Sequence, residues 1–307
     1  MNKSILITGS NVGLGKEAAR QLASIKETEK IILACLHPEE AAAAKIDLEK
    51  STGRFIFEIV IIDTSDIASV RSAAASIKEP IDAIIMNAGG MAGKTPGKLT
   101  SSGMTQIAAV NLMGHVVLVD ELLKVGKLKK VALFAASESA RGIKKMGIKR
   151  PNLKTSSVED FASILNGTYF GDKFDSMQAY GLVKYTAVMW MAAQARKHPH
   201  IKFISMSPGM TSGTAAAEEL PIMLKIMFKY IIMPVIMPLM GMVHGVEKGA
   251  KRYIDGISKS NFESGKFYAS HESKVIGPVV DQSTFFADLN NTDYQDNADL
   301  AIHQFIK

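Results

Sequence analysis

The stretch TGSNVGLGKEAA, residues 8–19, decides the fold. It leaves the apolar run SILIT (residues 4–8) and enters a segment of helical composition. Gly9, Gly13 and Gly15 let the backbone turn tightly and approach a pyrophosphate, whose charge the N–H groups of the following helix N-terminus can meet. The spacing is G-x-x-x-G-x-G rather than the G-x-G-x-x-G of the usual dinucleotide fingerprint. Glycines also serve ordinary tight turns. At the first strand-to-helix junction, however, such a loop points to a dinucleotide, with Ser10, Asn11 and Leu14 completing the cradle.

Further apolar, β-branched-rich runs recur at residues 30–35, 55–62, 81–87, 131–136 and 201–206, each followed by a longer segment of helical composition. Strands without polar alternation are expected where both faces of a sheet are covered. Alternating β and α segments imply right-handed crossovers and an α/β, doubly wound parallel sheet of the Rossmann type. About seven strands are expected, the last around residues 266–269. No linker or internal repeat divides the chain, which predicts one domain over residues 1–307. Two segments break the alternation: 138–179, rich in Lys, Gly and Ser, and 214–243, rich in Met, Ile and Pro. Long insertions of this kind are usually functional or disordered.

The composition, 47% hydrophobic and 21% charged, is that of a soluble globular chain. The single cysteine, Cys35, excludes an internal disulfide and predicts a reducing, cytoplasmic setting. No apolar segment with a small-residue cleavage site follows Met1, so secretion is not expected. Net charge is +6, and ten Lys or Arg residues against one acid, Glu138, fall between Lys124 and Lys154. A solvated lysine-rich surface explains them without nucleic acid, since no aromatic interleaving accompanies them. The histidines lack ligand spacing and predict no metal site.

In AYGLVK (residues 179–184) a tyrosine and a lysine stand four residues apart on an apolar helix. Residues i and i+4 share a helix face, so Tyr180 and Lys184 can converge on one point. Either Tyr180 packs and Lys184 reaches water, or the pair performs proton chemistry. A phenol with a reference pKa near 10 suits acid/base work at neutrality only if shifted by about three units, worth about 4 kcal/mol. A nearby ammonium acts in that direction.

TGxxxGxG, NAGG at 87–90, NLMGH at 111–115, a serine after the fifth strand, YxxxK and SPGMT at 207–211 occur in one order along the chain. Together they resemble the short-chain dehydrogenase/reductase family, from about Lys3 to Thr214. The long Ser137–Tyr180 interval and the apolar segment after SPGMT look most like the extended branch of retinol dehydrogenase-like and protochlorophyllide reductase-like enzymes. The resemblance implies that Tyr180 exchanges a proton with a carbonyl oxygen during hydride transfer and that Lys184 lowers its pKa and contacts the nicotinamide ribose. It implies that Ser137, rather than Ser139, orients the carbonyl, and that Asn111 holds a relay water. Asn111 alone would also read as a satisfied core amide, and His115 reads as packing.

For the cofactor, the resemblance implies contacts from Asp63 and Thr64 to the adenine, and from Asn87, Ala88 and Gly89 along the ribose. It implies a nicotinamide loop at Pro208 and Gly209, with Thr211 and Thr214 competing for the carboxamide. An N-cap or turn aspartate is the plain alternative for Asp63. The second strand ends Ala34-Cys35-Leu36-His37, with neither an acid for a ribose 2′-hydroxyl nor an Arg for a 2′-phosphate. The missing acid, with help from His37, tilts the expectation slightly from NAD to NADP.

Residues 220–243 are the most hydrophobic region, but the longest uncharged run, Tyr230–Val243, carries Pro234 and Pro238. It is short of the roughly 20 residues of a membrane span. It is expected to be a mainly helical lid over a lipophilic substrate, with a peripheral membrane contact or a subunit interface as the alternatives. The expected function is NAD(P)-dependent interconversion of a small apolar carbonyl and alcohol. Reduction of a carbon–carbon double bond and a non-catalytic nicotinamide sensor are its rivals, and the oligomeric state stays open.

Overall fold

The computed structural model describes residues 2–144, 147–211 and 242–306. Eight strands form one sheet: β1 (Ser4–Thr8), β2 (Lys30–Cys35), β3 (Phe57–Ile61), β4 (Ile81–Met86), β5 (Leu128–Ala135), β6 (Lys202–Met206), β7 (Phe267–Ser270) and β8 (Val279–Asp281). Their order is β3-β2-β1-β4-β5-β6-β7-β8, and every pairing is parallel except β7 with β8. The expected count of seven is therefore one short. Val279–Asp281 is an antiparallel edge strand of three residues, too brief to show a period in sequence. The chain reverses its direction of growth between β1 and β4, which opens a crevice at the C-terminal ends of those strands.

The helices are α1 (Gly13–Ala23), α2 (Pro38–Thr52), α3 (Ile67–Ser76), α4 (Gln106–Lys124), α5 (Val158–Asn166), α6 (Ser176–Lys197), α7 (Val246–Ser258) and α8 (Thr292–His303). Successive strand residues point to opposite faces. Ile5 and Ile7 of β1 therefore join α1, α2 and α7 in one core, whereas Leu6 joins α3, α4, α5, α6 and α8 in the other. Each such side chain, fully buried, contributes about 1.5–3 kcal/mol. Covering both faces is what makes the strands read as unbroken apolar runs.

α2 shows how local sequence sets the elements. Pro38 fills its first turn, where a missing N–H costs nothing, and Glu39 and Glu40 meet the positive helix end. Gly53, at φ 66°, closes it by returning its N–H to Glu49 O. α4 is long and apolar enough to cross a membrane by length and composition, but most of it is buried against the sheet. It is a core helix. The lid expected over 214–243 lies, up to residue 241, outside the described residues.

The basic stretch 124–154 does not form one surface. Lys124–Lys130 flank the start of β5 and Arg141–Lys154 follow its end, so the two groups lie at opposite ends of the sheet. Lys130 pairs with Asp82 at 3.1 Å, Arg150 pairs with Asp288 and covers the Phe286 ring, and Arg141 is buried.

α6 is apolar on nearly all sides, and α5, α8 and the turn at 138–141 cover what the sheet does not. α8 is tied down by His303, whose Nε2 lies 3.0 Å from Asp120 Oδ2 of α4 and whose Nδ1 lies 2.8 Å from Asp299 O. With an acceptor at each nitrogen the imidazolium is favoured, and the Asp120 hydrogen bond, outweighing burial, raises its pKa to about 9. The folded value exceeds the ordinary 6.5, so this stabilisation is complete below pH 6.5 and is lost as pH rises through 9. The imidazole is partly exposed, which limits its contribution to about 1 kcal/mol. The melting temperature should fall between pH 7 and 9.5, and H303Q should flatten that fall in a pH series of thermal melts.

Candidate active site

Three parts of the chain meet in the crevice beyond β1, β4 and β5. The first is the glycine loop. A Cβ on Gly15 would stand 2.3 Å from Gly9 O and 2.6 Å from Asn87 Nδ2, so only glycine lets α1 start this close to the strand ends. Val12 precedes α1 and supplies no capping side chain, which leaves the first helical N–H groups for an anion. A Cβ on Gly13 would meet nothing within 4 Å, so the cradle is open as well as narrow. These features fit a dinucleotide pyrophosphate.

Thr8, at the end of β1, ties this loop to its surroundings. Its hydroxyl accepts the N–H groups of Asn87 and Ala88, both at 2.9 Å, and lies 3.0 Å from His115 Nε2. With its lone pairs engaged, the hydroxyl proton goes to Nε2, which places the imidazole proton on Nδ1, facing Asn111 O at 3.4 Å. His115 is fully buried, and burial together with the Lys184 charge depresses its pKa to about 3. It is a neutral structural bridge, as the packing reading expects. Asn87 Nδ2 also donates to Thr8 O and Gly9 O, at 3.0 and 3.1 Å.

The second part is the wall made by α4 and α6. α4 widens to a π-helical turn over Ala109–Met113, with Asn111 at its centre. Such single turns free backbone carbonyls and are frequent at functional sites. The Asn111 side chain donates to Gly90 O at 2.7 Å and accepts Gly90 N–H at 3.1 Å, fixing the loop after β4. Lys184 is 3% exposed and donates to Ala135 O at 2.9 Å, its ammonium 4.6 Å from the Phe134 ring centroid and 5.6 Å from that of Tyr180. The reading in which Lys184 reaches water is thereby excluded.

Ser137 caps the short turn 138–141 with its hydroxyl 3.2 Å from Ser139 N, and that hydroxyl lies near enough to the Tyr180 phenol to oppose the rise in its pKa. Ser139 is buried and its carbonyl backs against Gly181, so Ser137 is the serine that faces Tyr180. The expected lowering of the Tyr180 pKa is not found. Burial raises it, only partly opposed by Ser137, and burial alone brings Lys184 down to about 7. Desolvation of both groups outweighs their mutual help because Lys184 points its hydrogen bond at a backbone carbonyl.

The third part was not legible as a motif. Glu138, 3% exposed, binds Arg141 through Oε2 and accepts Ser207 Oγ at 3.2 Å and Ser270 N at 3.0 Å through Oε1. Arg252 of α7 lies 3.6 Å from the same oxygen and donates to Ser207 O at 2.9 Å and Ser270 Oγ at 3.0 Å. This buried cluster joins the residue after Ser137 to the loop carrying Pro208 and Gly209. His244 Nε2 holds Pro208 O at 2.7 Å, and Gly249 of α7 abuts Leu14, Thr211 and Pro208.

Other expected cofactor residues are placed less simply. Ser10 is buried and donates to Ile7 O at 3.0 Å, so its side chain faces the core. Asp63 Oδ1 accepts from Ser65 N and Oγ in a turn, and Thr64 is buried with its hydroxyl on Val110 O at 3.3 Å. Thr211 Oγ1 donates to Gly209 O at 3.1 Å, whereas Thr214 lies outside the described residues. His37 is exposed at the start of α2. Glu40, in the first turn of α2, reaches the glycine loop, where its Oε2 accepts Asn11 Nδ2 at 2.7 Å. Among the described residues no His, Cys, Asp and Glu cluster could hold a metal. A cavity of about 250 Å³ opens beside α6 at Lys149, Asn152 and Gln178, on the side away from Tyr180 and Lys184.

The short chain dehydrogenase family model matches residues 3–132. Human retinol dehydrogenase 13 is 35% identical over 133 residues, covering 42% of this chain and 38% of that protein. The WW domain-containing oxidoreductase of Drosophila melanogaster is 30% identical over 214 residues, 67% of this chain and 48% of that protein. The matches thus span about two fifths to one half of these relatives' length. Among solved structures, the salutaridine reductase of Papaver somniferum aligns with TM-score 0.61 at 14% identity, covering 86% of this chain and 99% of its own. The NADPH-bound carbonyl reductase from chicken fatty liver aligns with TM-score 0.57 at 19% identity, covering 90% and 99%. Identities this low establish the fold alone.

Removing one partner of a buried ion cluster strands the others, at a cost of about 3–5 kcal/mol. E138A should lower stability by that order in urea titrations, while E138Q, which can still accept hydrogen bonds, should lose less.

Proposed function

We propose that the chain is a member of the short-chain dehydrogenase/reductase family, whose model matches residues 3–132, and that with a nicotinamide cofactor it interconverts a carbonyl and an alcohol on an apolar small molecule. The observation that carries the reading is the convergence of the Ser137 hydroxyl and the Tyr180 phenol above a buried Lys184, with Asn111 in a π-helical turn behind them.

A bound reduced nicotinamide supplies the hydride that forms the new C–H bond. The carbonyl oxygen accepts hydrogen bonds from Ser137 and Tyr180, which orient it and meet the negative charge that develops there. As the C=O π pair moves onto oxygen, the Tyr180 O–H bond breaks and its proton completes the alcohol. The phenolate left behind lies beside the Lys184 ammonium, which stabilises it and is itself held in the charged form by it. Alcohol oxidation runs the same proton in reverse.

An apolar substrate is supported by Met177, exposed one turn before Tyr180 on the same helix face, and by the Met- and Ile-rich sequence 220–243. Relatives named for retinol agree with it. A long-chain or polyene aldehyde is therefore the first substrate to try.

Y180F should lower turnover of such an aldehyde by about 10²- to 10⁴-fold and leave nicotinamide nucleotide binding unchanged by fluorescence titration. Turnover at the wild-type rate would remove Tyr180 from the chemistry. The raised phenol pKa gives a second test. Reduction needs the protonated phenol, which burial preserves through neutrality, whereas oxidation needs the phenolate. The oxidation rate should climb with pH between 7 and about 10 while reduction stays level at constant nucleotide saturation. A flat oxidation profile contradicts the assignment.

A further inference from the structure

We propose that Glu40 reads the adenosine ribose and makes this chain prefer NAD to NADP, an inference that rests on the dinucleotide reading above. β2 ends at Cys35, Leu36 is exposed and His37 leads into α2, so no strand-end residue carries an acid. The first turn of α2 brings one back. Glu40 leans out of that turn onto the glycine loop, where its Oε2 accepts Asn11 Nδ2 at 2.7 Å. Asn11 lies between Gly9 and Gly13, and Ser10 beside it contacts the Cys35 thiol at 3.5 Å. The Glu40 charge also reaches that thiol and helps to push its pKa up. The carboxylate therefore sits over the crevice between the ends of β1 and β2, beside the loop that fits the pyrophosphate.

An acid at this place hydrogen-bonds a ribose 2′-hydroxyl, and its charge opposes a 2′-phosphate. Glu40 Oε2 is held by Asn11, which orients the group; Oε1 has no hydrogen-bond donor among the described residues. The ion pairs of α2, Lys16–Asp47 and Lys45–Glu49, lie further along the helix. No described Lys or Arg pairs with Glu39 or Glu40. Both acids also suit a helix N-terminus, but that role requires no contact with the glycine loop, and only Glu40 makes one.

The test is fluorescence titration of the full chain with NADH and NADPH, in the wild type, E40Q and E40R. Glu40 is exposed, so the variants should fold, and their thermal melts check it. NADH is expected to bind the wild type at least about tenfold more tightly than NADPH, from the like-charge repulsion alone. E40Q should narrow that ratio by about the same factor, and E40R should invert it. Equal or tighter NADPH binding by the wild type, or a ratio unchanged in E40Q, overturns the assignment of Glu40. Failure to bind either nucleotide is a different result: it overturns the dinucleotide reading itself, and this assignment with it.

Discussion

The Thr8 hydroxyl is the constraint on which the site depends. It sits where β1 gives way to the glycine loop, accepts two N–H groups from the end of β4, and donates to a buried imidazole on α4. Each of these bonds is worth about 1 kcal/mol net, but leaving one buried partner unmade costs about 1–3 kcal/mol. The arrangement is therefore all or none. It fixes the His115 tautomer, which permits an uncharged imidazole in a fully buried position, and so sets the contact with Asn111 O inside the π-helical turn. From there the Asn111 amide grips Gly90. The loop that fits a pyrophosphate and the wall beneath the reacting centre are one hydrogen-bonded unit.

Charge is handled differently in the other half of the site. Lys184 is buried with no carboxylate partner among the described residues, and its hydrogen bond goes to Ala135 O. Burial brings its pKa down toward neutrality, so the ammonium holds its proton less firmly than an exposed lysine. Tyr180, pushed upward, holds its proton more firmly. Burial thus favours the uncharged form of both groups. The ion cluster of Glu138, Arg141 and Arg252 lies behind, on the side of Ser207 and Ser270, where it holds backbone groups.

Much of this was legible in the sequence because the signals are local. A glycine loop after a strand, β-branched runs covered on both faces, and an i,i+4 pair on a helix each follow from residues close together in the chain. Glu40 and Arg252 carry no local signal. Glu40 resembles any acid in a first helical turn, and its meaning comes from Asn11, 29 residues away. Glu138 looked like a lone acid in a basic stretch, whereas it is neutralised from residue 141 and, across the sheet, from residue 252. The direction of the Tyr180 shift failed for a related reason: spacing shows that two groups share a face, but not how deeply that face is buried or where the ammonium points.

The two halves of the site also differ in how much of the chain they need. Residues 8–115 supply the glycine loop, the β4 loop and Asn111, a continuous βαβ frame in which each part is positioned by its neighbour in the sheet. The serine, the tyrosine and the Pro208–Gly209 loop come from residues 137–209, and they are brought to that frame from outside. Arg252 and His244 bind the carbonyls of Ser207 and Pro208, and Gly249 closes against Leu14, so α7 locks the later half onto the first turn of α1. A Cβ on Gly249 would come within 2.7 Å of Leu14 and 2.9 Å of Thr211 Oγ1, which makes that closure intolerant of side-chain bulk. The position of the Pro208–Gly209 loop is therefore set by a helix that comes after residues 214–243 in the chain. α7 thereby holds the Pro208–Gly209 loop against the first turn of α1, on the side of Ser137 and Tyr180.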